Sequence, residues 1–287
     1  MNYLKHFGLR ELPFGITPDT SYFFACRSIQ EALNTLLVAV SNGEGFIKIT
    51  GEVGTGKTLL CRKFLSTLSS SWVSAYIPNP NLAPRGLVLA LAEELGVSGE
   101  SVEAHRLEKE LTQRLLDIAR QGKRVVLCMD ETQAMPLATL ETVRLLTNLE
   151  TEKRKLMQVV LFGQPELDRN LASESVRQLR QRITFQHTLK ALGRKEVADY
   201  VAHRLTIAGY SGEALFTNGA LAGLHAASRG VPRLVNILAH KSLLMVYGEG
   251  GRQVERGHVR CAVEDTPSAS SRWWWWGRPR STGAANG

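Results

Sequence analysis

The stretch GEVGTGKT, from Gly51 to Thr58, closes an apolar run, GFIKIT, and opens a helical pattern. It satisfies G-x-x-x-x-G-K-S/T at every fixed position, with Gly51, Gly56, Lys57 and Thr58, and adds a glycine at Gly54. Backbone that wraps closely around an anion needs glycine where a Cβ would collide or where φ must be positive. A helix that begins at once aims the positive end of its dipole at the same point. The pattern predicts a triphosphate cradle made by Gly51, Gly54, Thr55, Gly56, Lys57, Thr58 and Leu59. In it the Lys57 ammonium meets the β- and γ-phosphates and the Thr58 hydroxyl ligates Mg²⁺, so ATP and Mg²⁺ are the ligands implied. A bare glycine-rich turn is the rival, and it gives no reason for Lys57 and Thr58 between a strand and a helix.

The rest of the composition bounds rather than decides. The 287 residues are 44% hydrophobic, enough for one or two cored domains. Apolar runs fall far short of the roughly 20 residues that span a bilayer, and MNYLKHFGLRELPF is not a secretory leader, so a cytoplasmic protein is expected. Four cysteines and seven histidines are scattered, which suits buried thiols rather than a structural metal. The net charge of +8 leaves an anionic partner open, although RQLRQR carries no interleaved aromatics for stacking on bases.

Apolar periodicity divides the chain. Residues 1–27 are rich in turn formers. A helix is expected from Ser28 to Ser41, with Ser28 as its N-cap and Glu31 completing a capping box. From 28 to 190, strands (FIKIT, WVSAYI, KRVVLCMDE, KLMQVVLFG, ITFQHTL) alternate with amphipathic helices, the pattern of an α/β three-layer α/β/α core on a parallel sheet. Residues 191–265 contain four helical patterns and no strand, which reads as an all-helical lid domain. Residues 266–287 turn to Ser, Gly, Pro and Arg around four consecutive tryptophans.

Further polar groups stand where strands end. VVLCMDE ends on Asp130 and Glu131, about 70 residues beyond the glycine loop. Asp130 is expected in the metal shell and Glu131 as the base that polarises an attacking water. Gln164, after VVLFG, would point at the γ-phosphate or that water; the rival is a loop residue capping the turn at Pro165. VRQLRQRITF offers Arg177, Arg180 and Arg182, with Arg180 first and Arg182 second as a residue that reaches a neighbouring subunit's phosphates. A solvated basic helix face competes with that reading. GVPR places Arg233 in the first turn of a lid helix, where it would contact the γ-phosphate.

In this order the features resemble the AAA+ ATPase family. FGLRELPFGITPD, GEGFIKITGEVGTGKT, AYIPNP, DETQAM, VVLFGQPELD and LRQRITF are similar to the ExeA/GspA-type secretion ATPases, above all to members serving MSHA-type pilus biogenesis. The resemblance covers residues 1–265. It implies an ATPase supporting assembly of a type IV pilus or type II secretion apparatus, working as a homo-oligomer with assembly proteins at the inner membrane. It also implies adenine stacking by the N-terminal segment, at Phe14 and Pro18. The secretion members continue into a membrane span and a peptidoglycan-binding region; this sequence instead ends in SRWWWWGRPRSTGAANG, a disordered tail or a shallow interfacial anchor on anionic lipid. Two other readings stay open: an ATP-dependent DNA-associated helper in transposition or replication, and a nucleotide-gated scaffold that scarcely hydrolyses.

Overall fold

The computed structural model describes residues 3–97, 104–151 and 154–269, and the tryptophan-rich tail lies outside them. In chain order the helices are α1 (Tyr3–Phe7), α2 (Arg27–Ser41), α3 (Lys57–Thr67), α4 (Pro84–Glu94), α5 (Ala104–Arg120), α6 (Leu137–Leu146), α7 (Glu166–Leu171), α8 (Arg177–Arg182), α9 (Arg194–Ile207), α10 (Asn218–Ser228), α11 (Pro232–Gly248) and α12 (Arg256–Glu264). The strands are β1 (Phe46–Thr50), β2 (Trp72–Ile77), β3 (Arg124–Met129), β4 (Glu150–Thr151), β5 (Arg154–Lys155), β6 (Met157–Gly163) and β7 (Ile183–Thr188). They sort into two compact units. One is Pro18–Lys190; the other is the described part of Met1–Thr17 with Ala191–Gly287.

In the Pro18–Lys190 unit five parallel strands run in the order β2-β3-β6-β1-β7. Every position of β6 is buried, as is all of β3 beyond Arg124, because helices cover both faces of a parallel sheet. The edge strand β7 alternates half-buried and exposed positions. Leu87 and Leu91 of α4, Leu111 and Leu115 of α5 and Leu140 of α6 fill one face against Leu127 and Val159. The in-register pairs Thr50↔Gly163 and Met129↔Leu161 bring the carboxyl ends of β1, β6 and β3 side by side. The glycine loop, Gln164 and Asp130–Glu131 follow those three ends, at the crevice where open parallel sheets bind ligands.

The expected capping of α2 is not the one observed. The helix starts a residue earlier, with Cys26 as N-cap and no side-chain cap. Ser28 thus sits inside the first turn, where its hydroxyl accepts the Lys190 N–H at 2.9 Å and ties α2 to the end of β7. Glu31 pairs with Arg27 at 2.8 Å instead of closing a capping box.

The helical unit holds α9 to α12 together with the described part of Met1–Thr17, so 1–27 is not one separate segment. Hydrogen bonding gives the reason. The Arg204 guanidinium, on α9, donates to the Pro13 carbonyl at 2.5 Å and the Gly15 carbonyl at 3.3 Å, and Asn236 of α11 donates to Gly15 at 3.0 Å. Tyr200 joins the group, donating to Asn236 at 3.0 Å and accepting from Arg204 at 3.1 Å. Phe14 packs edge-on to Phe216 with ring centroids 5.8 Å apart. Gly230 precedes α11 at φ +74°, and a Cβ there would stand 2.0 Å from the Leu192 carbonyl oxygen, so only glycine fits.

Candidate nucleotide-binding site

The turn after β1 is shaped by its glycines. Gly54 and Gly56 have φ of +81° and +99°, in the left-handed region that costs a side chain energy. Gly51 is excluded from carrying a side chain for another reason: its Cβ would lie 2.8 Å from Thr55 Oγ1 and 3.0 Å from Leu189 Cβ. Thr55 locks the turn by donating its hydroxyl to the Glu52 carbonyl at 2.8 Å. Gly56 is the N-cap of α3, with no side chain to cap the helix. The first N–H groups of α3 are therefore open to an outside acceptor.

Lys57 is 5% exposed, yet its ammonium has only two carbonyl partners in the loop, Gly51 at 2.8 Å and Glu52 at 3.1 Å. Burial pulls its pKa down, opposed by the carboxylates of Glu131 and Asp130. The opposite charge lies at the end of β3. Asp130, 2% exposed, accepts the Thr58 hydroxyl at 2.5 Å on one oxygen and the Glu131 N–H at 2.9 Å on the other. Burial pushes its carboxyl upward against those two hydrogen bonds. Both charges are thus held at a desolvation cost inside the unit. Behind them the thiols of Cys61 on α3 and Cys128 on β3 are both buried. The Cys61 thiol is pushed well up, first by its hydrogen bond with Cys128 and next by burial.

Hard oxygen donors on Thr58 and Asp130 suit Mg²⁺, and their 2.5 Å contact places them close enough to share one ion. The backbone N–H groups of the loop and the Lys57 ammonium suit a polyphosphate on the same side.

Glu131 takes an unusual backbone conformation, φ 53° and ψ 35°, one of two non-glycine residues at positive φ among those described. It is held there from both sides. Its Oε2 accepts Gln164 Nε2 at 3.1 Å and Gln133 Nε2 at 2.5 Å. Gln133 was not singled out in the sequence. It lies on the 3₁₀ turn Thr132–Ala134, and its proximity to the end of β6 is a tertiary fact. The only local signal was its place two residues after Glu131 in DETQ.

The arginines of α8 separate. Arg182 is half-buried and donates to Asn148 Oδ1 at 2.5 Å within its own chain. Arg177 stands 3.7 Å from Glu174. Arg180 is exposed and has no ion-pair partner among the described residues. Arg233 is exposed on the first turn of α11, in the helical unit. Of the two residues expected to stack on a base, Phe14 is 3% exposed with its ring committed to Phe216, so it offers no free face. The Pro18 carbonyl accepts Arg62 at 2.9 Å.

The AAA domain family model matches residues 40–171, spanning the glycine loop, Asp130–Glu131 and Gln164. Over 262 residues, 91% of this chain, the sequence is 40% identical to General secretion pathway protein A of Aeromonas hydrophila. The chain is an AAA+ P-loop protein of the ExeA/GspA type. It spans 48% of the length of that curated relative. The AAA+ fold also appears in solved structures of low identity. Cdc6p from Pyrobaculum aerophilum aligns at a TM-score of 0.68 and 16% identity, covering 91% of this chain and 74% of that one. The Aeropyrum pernix ORC2 protein in its ADPNP-ADP complexes aligns at 0.63 and 16%, covering 88% and 73%. Among the described residues of this AAA+ chain, no helix is long and apolar enough to cross a membrane.

Proposed function

We propose that this AAA+ chain binds ATP with Mg²⁺ at the end of β1 and hydrolyses it, and that the cycle drives assembly of a type II secretion apparatus or a related type IV, MSHA-like pilus. The observation that supports hydrolysis most directly is the row of three strand ends. The Thr58–Asp130 contact and the doubly held Glu131 carboxylate stand together beyond β1, β6 and β3.

In this reading the amides of the glycine loop and Lys57 bind and orient the phosphates, while Thr58 and Asp130 hold Mg²⁺. The ion, when bound, neutralises charge on the β- and γ-phosphates. Water attacks the γ-phosphorus, its proton passes to Glu131, and the bond to the β-bridging oxygen breaks to leave ADP and phosphate. Gln164 orients the water. Arg233 contacts the γ-phosphate from the helical unit and passes the nucleotide state to it. Arg180, exposed and without an ion-pair partner among the described residues, is the better candidate to reach the phosphates of an adjacent copy; Arg182 is engaged by Asn148. The active form is therefore a homo-oligomer.

The secretion role is supported by similarity to General secretion pathway protein A, and the pilus role by the sequence likeness alone. Work at the cytoplasmic side of the inner membrane follows from the same reading. Nucleic acid is not a partner in it. The test joins biochemistry to genetics. Glu131→Gln should bind MgATP as tightly as the parent and lose turnover by about a hundredfold or more. In a host lacking the gene, the parent should restore secretion or piliation and Glu131→Gln should not. Equal turnover in that variant would refute the base assignment. Salt-sensitive DNA binding with DNA-stimulated turnover would favour the DNA-associated reading instead.

A further inference from the structure

The Glu131 carboxylate does not reach its geometry unaided. Its residue sits in the left-handed region, where a non-glycine backbone is strained unless its surroundings compensate. One side chain links it to both neighbouring strand ends. Gln133 donates from Nε2 to Glu131 Oε2 at 2.5 Å, and its Oε1 accepts the backbone N–H of Gln164 at 3.0 Å. Its own carbonyl accepts Asn170 Nδ2, from α7, at 2.9 Å. The Gln164 side chain closes the loop on the same carboxylate oxygen at 3.1 Å.

The partners fix which end of the amide is which. A carboxylate oxygen can only accept and a backbone N–H can only donate, so Gln133 must present nitrogen to one and oxygen to the other. Few side chains can do both across that span. The arrangement also treats the two carboxylate oxygens differently. Oε2 has two donors, whereas Oε1 accepts no hydrogen bond from any described residue, leaving it the oxygen open to a water.

We propose that Gln133 is a positioning residue for hydrolysis: it bridges the end of β3 to the end of β6, pins Glu131 by Oε2, and turns Oε1 toward the attacking water. This deepens the hydrolytic reading and rests on it. It also couples Gln164 to the base mechanically. Any shift of the Gln164 backbone when the γ-phosphate leaves would be carried through Gln133 to the carboxylate.

Three variants test this, with binding of a fluorescent ATP analogue and steady-state turnover as readouts. Gln133→Ala should bind MgATP within about twofold of the parent while kcat falls roughly ten- to a hundredfold, the cost of a misplaced base. In a Glu131→Gln background, adding Gln133→Ala should change the residual kcat by less than about twofold, because the group it positions is already gone. Gln133→Glu should be slow at neutral pH and recover relative to the parent as pH falls, since a protonated carboxyl can donate to Glu131 and still accept the Gln164 N–H. A structural role alone would give neither the non-additivity nor the acid recovery. Unchanged kcat in Gln133→Ala, an equal loss in both backgrounds, or a flat pH ratio for Gln133→Glu would each overturn the proposal. A parent that binds MgATP without turnover would remove the hydrolytic reading instead. The clamp is then read from the side-chain amide NMR signals of Gln133, which should move in Glu131→Ala; signals that stay put would overturn it as well.

Discussion

Replacing Asp130 by Asn should stabilise the ligand-free protein while disabling its metal site. The structure sets the sign. Asp130 is 2% exposed, and its two oxygens take one donor each, from Thr58 and from the Glu131 N–H. Asparagine keeps both links: its Oδ1 accepts the Glu131 N–H, and its Nδ2 donates to Thr58, whose hydroxyl can reverse role. Only the charge is lost, and that charge is what burial opposes. The attraction to Lys57 that disappears is weaker than the cost of burial and than either hydrogen bond to Asp130, and Lys57 keeps Glu131 and two carbonyls. A gain of about 1 kcal/mol is expected, a fraction of the several kcal/mol that burying an ion costs. In a unit of this size that raises Tm by about 2–4 °C. The assay is thermal unfolding in EDTA with no nucleotide, repeated across pH. A carboxyl whose folded pKa is raised is no burden below its unfolded value of 3.8; the penalty builds from there up to the folded pKa and is complete above it. The Tm gap between variant and parent should therefore widen from acid toward neutral pH. With MgATP the order should reverse, because the parent gains ligand stabilisation that the variant loses. A variant that unfolds earlier than the parent without ligand would show that the Asp130 carboxylate anchors the fold, and the argument from desolvation would fail.

Two further outcomes check neighbouring parts of the argument. Gly163→Ala should lower Tm by several degrees, about 1–3 kcal/mol of overpacking, because its Cβ would stand 2.8 Å from Thr132 Oγ1 and 2.9 Å from Leu167 Cδ2; unchanged unfolding would mean both neighbours yield freely. Arg180→Ala and Lys57→Ala should each be inactive alone and recover part of the turnover when mixed, as expected of an arginine acting on a neighbour's nucleotide; no recovery at any ratio would return Arg180 to a solvated helix face.

What the sequence disclosed and what it withheld follow from the range of the forces involved. The glycine loop was legible because positive φ and close approach are local demands that only glycine meets, as Gly54 and Gly56 illustrate. The buried strands were legible because two-sided burial leaves an unbroken apolar run, as in β3 and β6. The capping of α2 was misread because Ser28 is claimed by Lys190, 162 positions away, and the local capping rule has no view of such a competitor. Phe14, which the resemblance implied as a base contact, likewise has its ring packed on Phe216, far along the chain. Gln133 is the instructive case for the site. Its role depends on two strand ends becoming neighbours, β3 and β6, and no spacing within DETQ carries that information.

Lys57 and Asp130 are displaced in opposite directions by the same cause. Burial lowers the one and raises the other, so each is pushed toward its neutral form. A fold selected for stability alone would leave apolar or neutral groups at these two positions. What makes charge worthwhile there is a ligand that carries the complementary charges in matching order, anionic beside Lys57 and cationic beside Thr58 and Asp130. A phosphate chain with a divalent ion has that order. Either component alone satisfies only one of the two groups, so binding of the pair should be strongly cooperative. Titrating nucleotide with and without Mg²⁺, and Mg²⁺ with and without nucleotide, measures the coupling, which must be equal in both directions. Independent binding of the two would mean that the buried charges serve the fold rather than a ligand.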